Sequence, residues 1–172
     1  MKYFAYGSNM SIARLRERVP SAEPLGCRAL KQHILRFHKA GKDGSGKCDA
    51  FYTGDDEHIM FGALFELDPF EKHFLDKAEG LGYGYDEKSV VVHAEDGSSL
   101  AATTYFATAI EEALKPYTWY VNHVLVGAGE MSLPAEYIQS RLRGIESTQD
   151  PDQSRESRER AIYETQRLPA EQ

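Results

Sequence analysis

The chain has 172 residues, 41% of them hydrophobic and 27% charged, with a formal net charge of −7, which describes one globular domain long enough to bury a core without metal or disulfide support. That acidic balance excludes the clustered Lys and Arg that counterion release from nucleic acid requires, and no run approaches the roughly 18 apolar residues of a membrane span. The two cysteines, Cys27 and Cys48, read as reduced apolar side chains, and with no secretory signal in view a cytoplasmic protein is expected.

In chain order, Lys2 to Tyr6 predicts a strand that breaks into Gly7-Ser8-Asn9, residues of tight turns and helix caps. Ser11 to Val19 has helical spacing and stops at Pro20, with the basic run Arg14 to Arg18 as its wet face. Leu25 to Lys39 reads as extended, and "AGKDGSGKCD" as a flexible loop. Ala50 to Thr53 and Ile59 to Leu67 read as two strands joined by "GDDEH". A punctuated helix follows, with Asp68 as N-cap, Pro69 at its first position, Glu71 completing a capping box, Gly80 as its stop, and Phe70, Phe74 and Ala78 as its apolar face. Lys88 to Ala94 and Leu100 to Thr108 form a hairpin turned by "EDGSS". Helical stretches follow at Tyr117 to about Val126 and Pro134 to Arg143, and the polar tail from Thr148 onward, helical or mobile, carries no chemistry.

Three segments compete as sites. Gly41 to Cys48 follows the phosphate-loop spacing until Cys48, where Mg²⁺ chemistry needs a hydroxyl oxygen, and the segment after it reads as a strand rather than a helix. A connector loop in which Lys47 takes no part is therefore expected. The six histidines show no ligand spacing; His33 and His38, an odd number apart in an extended stretch, fall on opposite faces, so no metal is expected. The third segment is "LDKAEGLGYGY". Glu79 sits at the last turn of its helix, where the macrodipole disfavours a carboxylate, and a Gly-rich loop with Tyr83 and Tyr85 follows. A carboxylate held there against the local field reads as either a surface residue or a chemical one.

Three stretches in order, "YFAYGSNM", "LDKAEG" and "GAGEMSLPAEYI", make the chain resemble the γ-glutamylcyclotransferase (AIG2-like) family from residue 3 to about residue 145. The resemblance implies an α+β fold, a small mixed-strand barrel flanked by a few helices over residues 1–147, with residues 148–172 as a tail outside it. It implies that Glu79 is catalytic, shuttling protons, and that Tyr6, Gly7, Ser8 and Asn9 receive the glutamyl group, with Gly7 leaving room for close approach. Tyr85, Tyr105 and Tyr120 match the pocket tyrosines, with Tyr83 as the alternative to Tyr85. The activity implied is cyclisation of a γ-glutamyl amino acid or dipeptide to 5-oxoproline, without cofactor, by a monomer or homodimer. Two alternatives stay open: a cyclotransferase for γ-glutamyl amines or a γ-glutamyl-protected intermediate, and a non-catalytic binding module of the same fold.

Overall fold

The computed structural model describes residues 1–164. Its centre is a closed barrel of five strands in the order β1 (Lys2–Ala5), β5 (Ile59–Glu66), β2 (Glu23–Lys31), β6 (Tyr85–His93) and β7 (Ser99–Ala107). Every pairing is antiparallel except the one that closes the ring, where β1 runs parallel to β7 at Tyr3 and Thr103. β5 lies between β1 and β2, and its Met60, Leu64 and Phe65 are fully buried with Phe4, so it reads as a nearly continuous apolar run. The expected hairpin is present, with β6 and β7 in register from Tyr85 and Ala107 to His93 and Ser99.

The extended stretch expected from Leu25 to Lys39 is two strands. Gln32 takes a φ of 61°, and beyond it β3 (His33–Ala40) leaves the barrel to pair with β4 (Gly46–Tyr52) as a separate hairpin. β4 therefore pairs with β3 and not with β5, and it begins inside the segment expected to be a loop. His33 and His38 lie on opposite faces of the strand, as expected: His33 stands against its cross-strand partner Tyr52 and Lys88, whereas His38 meets Asp49 and Phe51, the partners of Arg36 and Ile34 on the other face. Both rings are buried.

Among the helices, α1 (Ile12–Arg16) is shorter than the spacing predicts and is capped by Ser11. α2 (Lys72–Glu79) follows a 3₁₀ turn, Pro69–Glu71, under the Asp68 cap, and ends on Gly80 at φ 71°. Phe70, Phe74 and Ala78 face outward, Phe70 at 87% exposure, and the buried anchor is Leu75, about 100° round the helix from Phe74. α3 (Thr118–Glu130) runs straight through the "GAGE" expected to end it. Gly127 is there for contact, because a Cβ at that position would collide with the backbone of Met10 and Ser11. After α4 (Ala135–Tyr137), which continues into a π turn at Ile138–Leu142, α5 (Gln153–Ala161) packs back on α3. No helix among the described residues is long and apolar enough to cross a membrane.

Candidate active site

The turn after β1 forms the floor of a recess. Gly7 precedes a 3₁₀ turn at Ser8–Met10, and the N–H groups of Ser8 and Asn9 have no partner among the described residues. α3 presses on this turn through Gly127, which fixes its position. Gly7 itself has a φ of −115°, and a Cβ there would lie 2.9 Å from the Cβ of Cys48 and 3.2 Å from the Tyr120 hydroxyl. The room that Gly7 leaves is therefore taken by the protein's own β4 and α3.

Glu79 enters from the C-terminal end of α2. Its Oε1 accepts from Asn9 Nδ2 at 2.8 Å and from Arg18 at 3.0 Å, while Oε2 accepts no hydrogen bond among the described residues. Asn9 is the bracket: the same amide nitrogen donates to the Tyr3 hydroxyl at 3.1 Å, and its Oδ1 accepts from Arg18 at 2.8 Å. The reading of Arg14 to Arg18 as a wet face is thus wrong for two of its members. Arg16 and Glu17 are exposed, but Arg14 is buried against Glu159 and Arg18 reaches Glu79. The other carboxylates nearby are engaged elsewhere, Asp76 with Lys72 and the Tyr105 hydroxyl, and Glu87 with Lys72.

All eight residues singled out in the sequence line one narrow recess of about 20 Å³: Glu79, Tyr6 to Asn9, Tyr85, Tyr105 and Tyr120, joined by Tyr3 and Cys48. The tyrosines are framework as much as lining. Tyr6 donates to the Tyr105 carbonyl at 2.7 Å and Tyr85 to the Cys48 carbonyl at 2.5 Å, and the Tyr120 hydroxyl accepts the Cys48 N–H at 3.0 Å. Burial raises all three phenols well above their usual range, so they are neutral hydroxyls. Tyr83 is 88% exposed and lines no part of the recess. Burial also pushes the Cys48 thiol up to about 12, which leaves it no nucleophile at neutral pH.

The recess opens into an outer cleft of about 270 Å³, with Ser8, Glu79, Tyr85 and Tyr120 shared between them. Its charged lining is Arg14, Arg18, Lys39, Lys42, Lys47, Lys77 and Arg155 against Asp43, Glu79 and Glu159. Lys47, on β4, lines this cleft. It pairs with Asp43 at 2.7 Å and lies 4.6 Å from the Trp119 ring centre. Strand β4 stands where a nucleotide loop needs a helix, as the sequence reading expected. The tail contributes Arg155 and Glu159 from α5. Burial raises the Glu159 carboxyl, but the hydrogen bond from His123 and the charge of Arg14 outweigh it and hold it at about 2.

Tyr3, Arg18, Lys39, Lys47, Arg155 and Glu159 are among the lining residues the sequence reading missed. A signal existed for Arg18. Arg14 and Arg18 are four apart on one helix face, a like-charged pair that asks for an acidic partner. None existed for α5, whose place depends on contacts with residues far from it in sequence.

Comparison with known proteins bears on the family and the fold. The profile of the AIG2-like family matches residues 59–141. Gamma-glutamylcyclotransferase of Homo sapiens is 32% identical over 150 residues, covering 84% of this chain and 78% of that protein. The Bos taurus enzyme of the same name gives the same identity and coverage. A solved structure named gamma-glutamyl cyclotransferase superimposes with a TM-score of 0.79 at 27% identity, covering 86% of this chain and 89% of the other.

Proposed function

Because the chain belongs to the γ-glutamylcyclotransferase, AIG2-like family, we propose that it converts a γ-glutamyl compound to 5-oxoproline with release of the amine, and that Glu79 moves the protons. The observation that carries this reading is the asymmetry of Glu79: Oε1 is tied by Asn9 and Arg18, and Oε2 is left for substrate. The carboxylate also stands where the inner recess meets the outer cleft, as a group must that serves both sides of one scissile bond.

The substrate supplies its own nucleophile. Glu79 takes a proton from the α-ammonium, and the freed amine attacks the γ-carbonyl carbon to close a five-membered ring. As the amide C–N bond breaks, that proton passes to the departing nitrogen, and the ring nitrogen, which keeps one hydrogen as the lactam N–H, gives up its other through the same carboxylate, so the amine leaves as an ammonium and no water and no enzyme nucleophile is consumed. Well-oriented intramolecular attack reaches effective molarities on the order of 10⁵ M, so folding the substrate supplies most of the acceleration. General acid–base transfer adds about 10²- to 10⁴-fold. The partnerless N–H groups of Ser8 and Asn9 suit the γ-carbonyl oxygen as it gains charge. Tyr6, Gly7, Tyr85, Tyr105 and Tyr120 shape the recess for the glutamyl chain, and Tyr3, Asn9 and Arg18 hold the carboxylate in place. A cytoplasmic setting belongs to the same proposal, supported by the free thiols of Cys27 and Cys48.

Incubation with γ-glutamyl-alanine tests the activity. The expected products are 5-oxoproline and alanine in equal amounts. Glutamate in place of 5-oxoproline would mean hydrolysis, and no product at all would favour a binding module.

A further inference from the structure

The cleft outside the recess says something about the part of the substrate that leaves; the inference rests on the cyclotransferase reading. Seven cationic side chains face three carboxylates there, in a chain of net charge −7. Four of the cations are neutralised locally: Arg14 by Glu159, Arg18 by Glu79, Lys47 by Asp43 and Arg155 by Asp150. Lys39, Lys42 and Lys77 have no carboxylate partner among the described residues.

Lys39 is the informative one. It is only 8% exposed, yet its Nζ makes no hydrogen bond among the described residues. It lies 4.8 Å from the ring centre of Tyr85 and rests on Gly84, where an added Cβ would stand 3.0 Å from Nζ. Across the hairpin its register partner is Lys47, which Asp43 already pairs, so Lys39 is the cation of that face left without a carboxylate partner among the described residues. Burial lowers the Lys39 pKa, and Lys42 adds to this, against the pull of Glu79 and Asp43. The inner recess, by contrast, has Glu79 as its one charged side chain. If the glutamyl group occupies the recess, Lys39 meets whatever lies beyond the scissile amide.

We propose that Lys39, with Lys42 and Lys77 at the rim, forms an anion subsite that selects γ-glutamyl compounds with an acidic leaving portion. The α-carboxylate of the departing amino acid sits at Lys39, and a second carboxylate sits at the rim. γ-Glutamyl amines that lack a carboxylate are correspondingly poor substrates.

The test compares kcat/KM for γ-glutamyl-glutamate, γ-glutamyl-alanine and γ-glutamyl-ethylamide. In the wild type it falls in that order by about fivefold or more at each step, the scale of one partly screened charge pair, and the spread narrows as salt is added. Lys39→Met keeps the packing on Tyr85 and removes the advantage of the alanine compound over the ethylamide. Lys77→Glu, at an exposed position, removes the advantage of the glutamate compound and stays decisive if Lys39→Met does not fold. Equal kcat/KM for the three compounds, or ratios unchanged in the folded variants, overturns the subsite alone. Absence of 5-oxoproline from all three overturns the cyclotransferase reading and the subsite with it.

Discussion

Asn9 spends its whole carboxamide on orientation: it donates to Glu79 and Tyr3 and accepts from Arg18. Removing it frees the Glu79 carboxylate to rotate while leaving its charge and its Arg18 partner in place. Asn9→Ala should therefore lower kcat by about 10²-fold, the usual cost of a misplaced catalytic group, with KM changed much less. A steady-state comparison checks this; an unchanged kcat would mean that Arg18 alone fixes Glu79. Gly7 is a different case, because its neighbours belong to the protein. A Cβ 2.9 Å from the Cβ of Cys48 has no flexible side chain to push aside, so Gly7→Ala should destabilise by about 1–3 kcal/mol, as overpacking does. Chemical denaturation measures it, and full stability with lost activity would return Gly7 to a substrate contact.

At the scale of the element, the second half of the site depends on how α5 docks. Glu159 joins Arg14 and His123, the Tyr163 hydroxyl meets the other nitrogen of the imidazole, and Trp119 donates to Asp150 at 2.7 Å. Burial drives His123 down to about 4, so the folded state needs it neutral. A depressed folded pKa gives stability that is present above the unfolded value of about 6.5 and lost as pH falls towards 4. Glu159, held at about 2, adds a contribution present above about 4.5 and lost below it. Melting temperature should thus begin to fall below about pH 6.5, before ordinary carboxylates titrate, and Trp119 fluorescence should report the loosening. His123→Gln should lower the melting temperature at neutral pH and flatten this first limb. A wild-type melting curve level down to about pH 4.5 would show that α5 does not depend on the neutral imidazole.

Over the whole molecule, what the sequence disclosed follows from how local each cause is. The β6–β7 hairpin, the Asp68 cap and the Gly80 stop were legible because turn and cap chemistry acts within a few residues. The separation of β3 from the barrel hung on one positive φ at Gln32, a residue with no turn signature, and α2 is anchored by Leu75 alone rather than by the Phe70 and Phe74 stripe, because its neighbours in the fold meet it on that side. Gly127 read as punctuation because nothing local says that Met10 will press against it. The recess was legible through motif order, whereas the basic cleft was hidden by a net charge of the opposite sign. A sum over the chain says nothing about where its terms gather.

If the Glu79 carboxylate carries the protons, Glu79→Gln removes that transfer and little else, because the amide keeps the shape and cannot accept a proton. 5-Oxoproline formation is measured beside calorimetric binding and thermal melting. Turnover should fall by at least about 10³-fold, with γ-glutamyl substrate still bound and a melting temperature within about 5 °C of wild type, since the pair lost with Arg18 is partly exposed. Turnover within about tenfold of wild type would contradict it, that being less than even the weakest general acid–base contribution supplies.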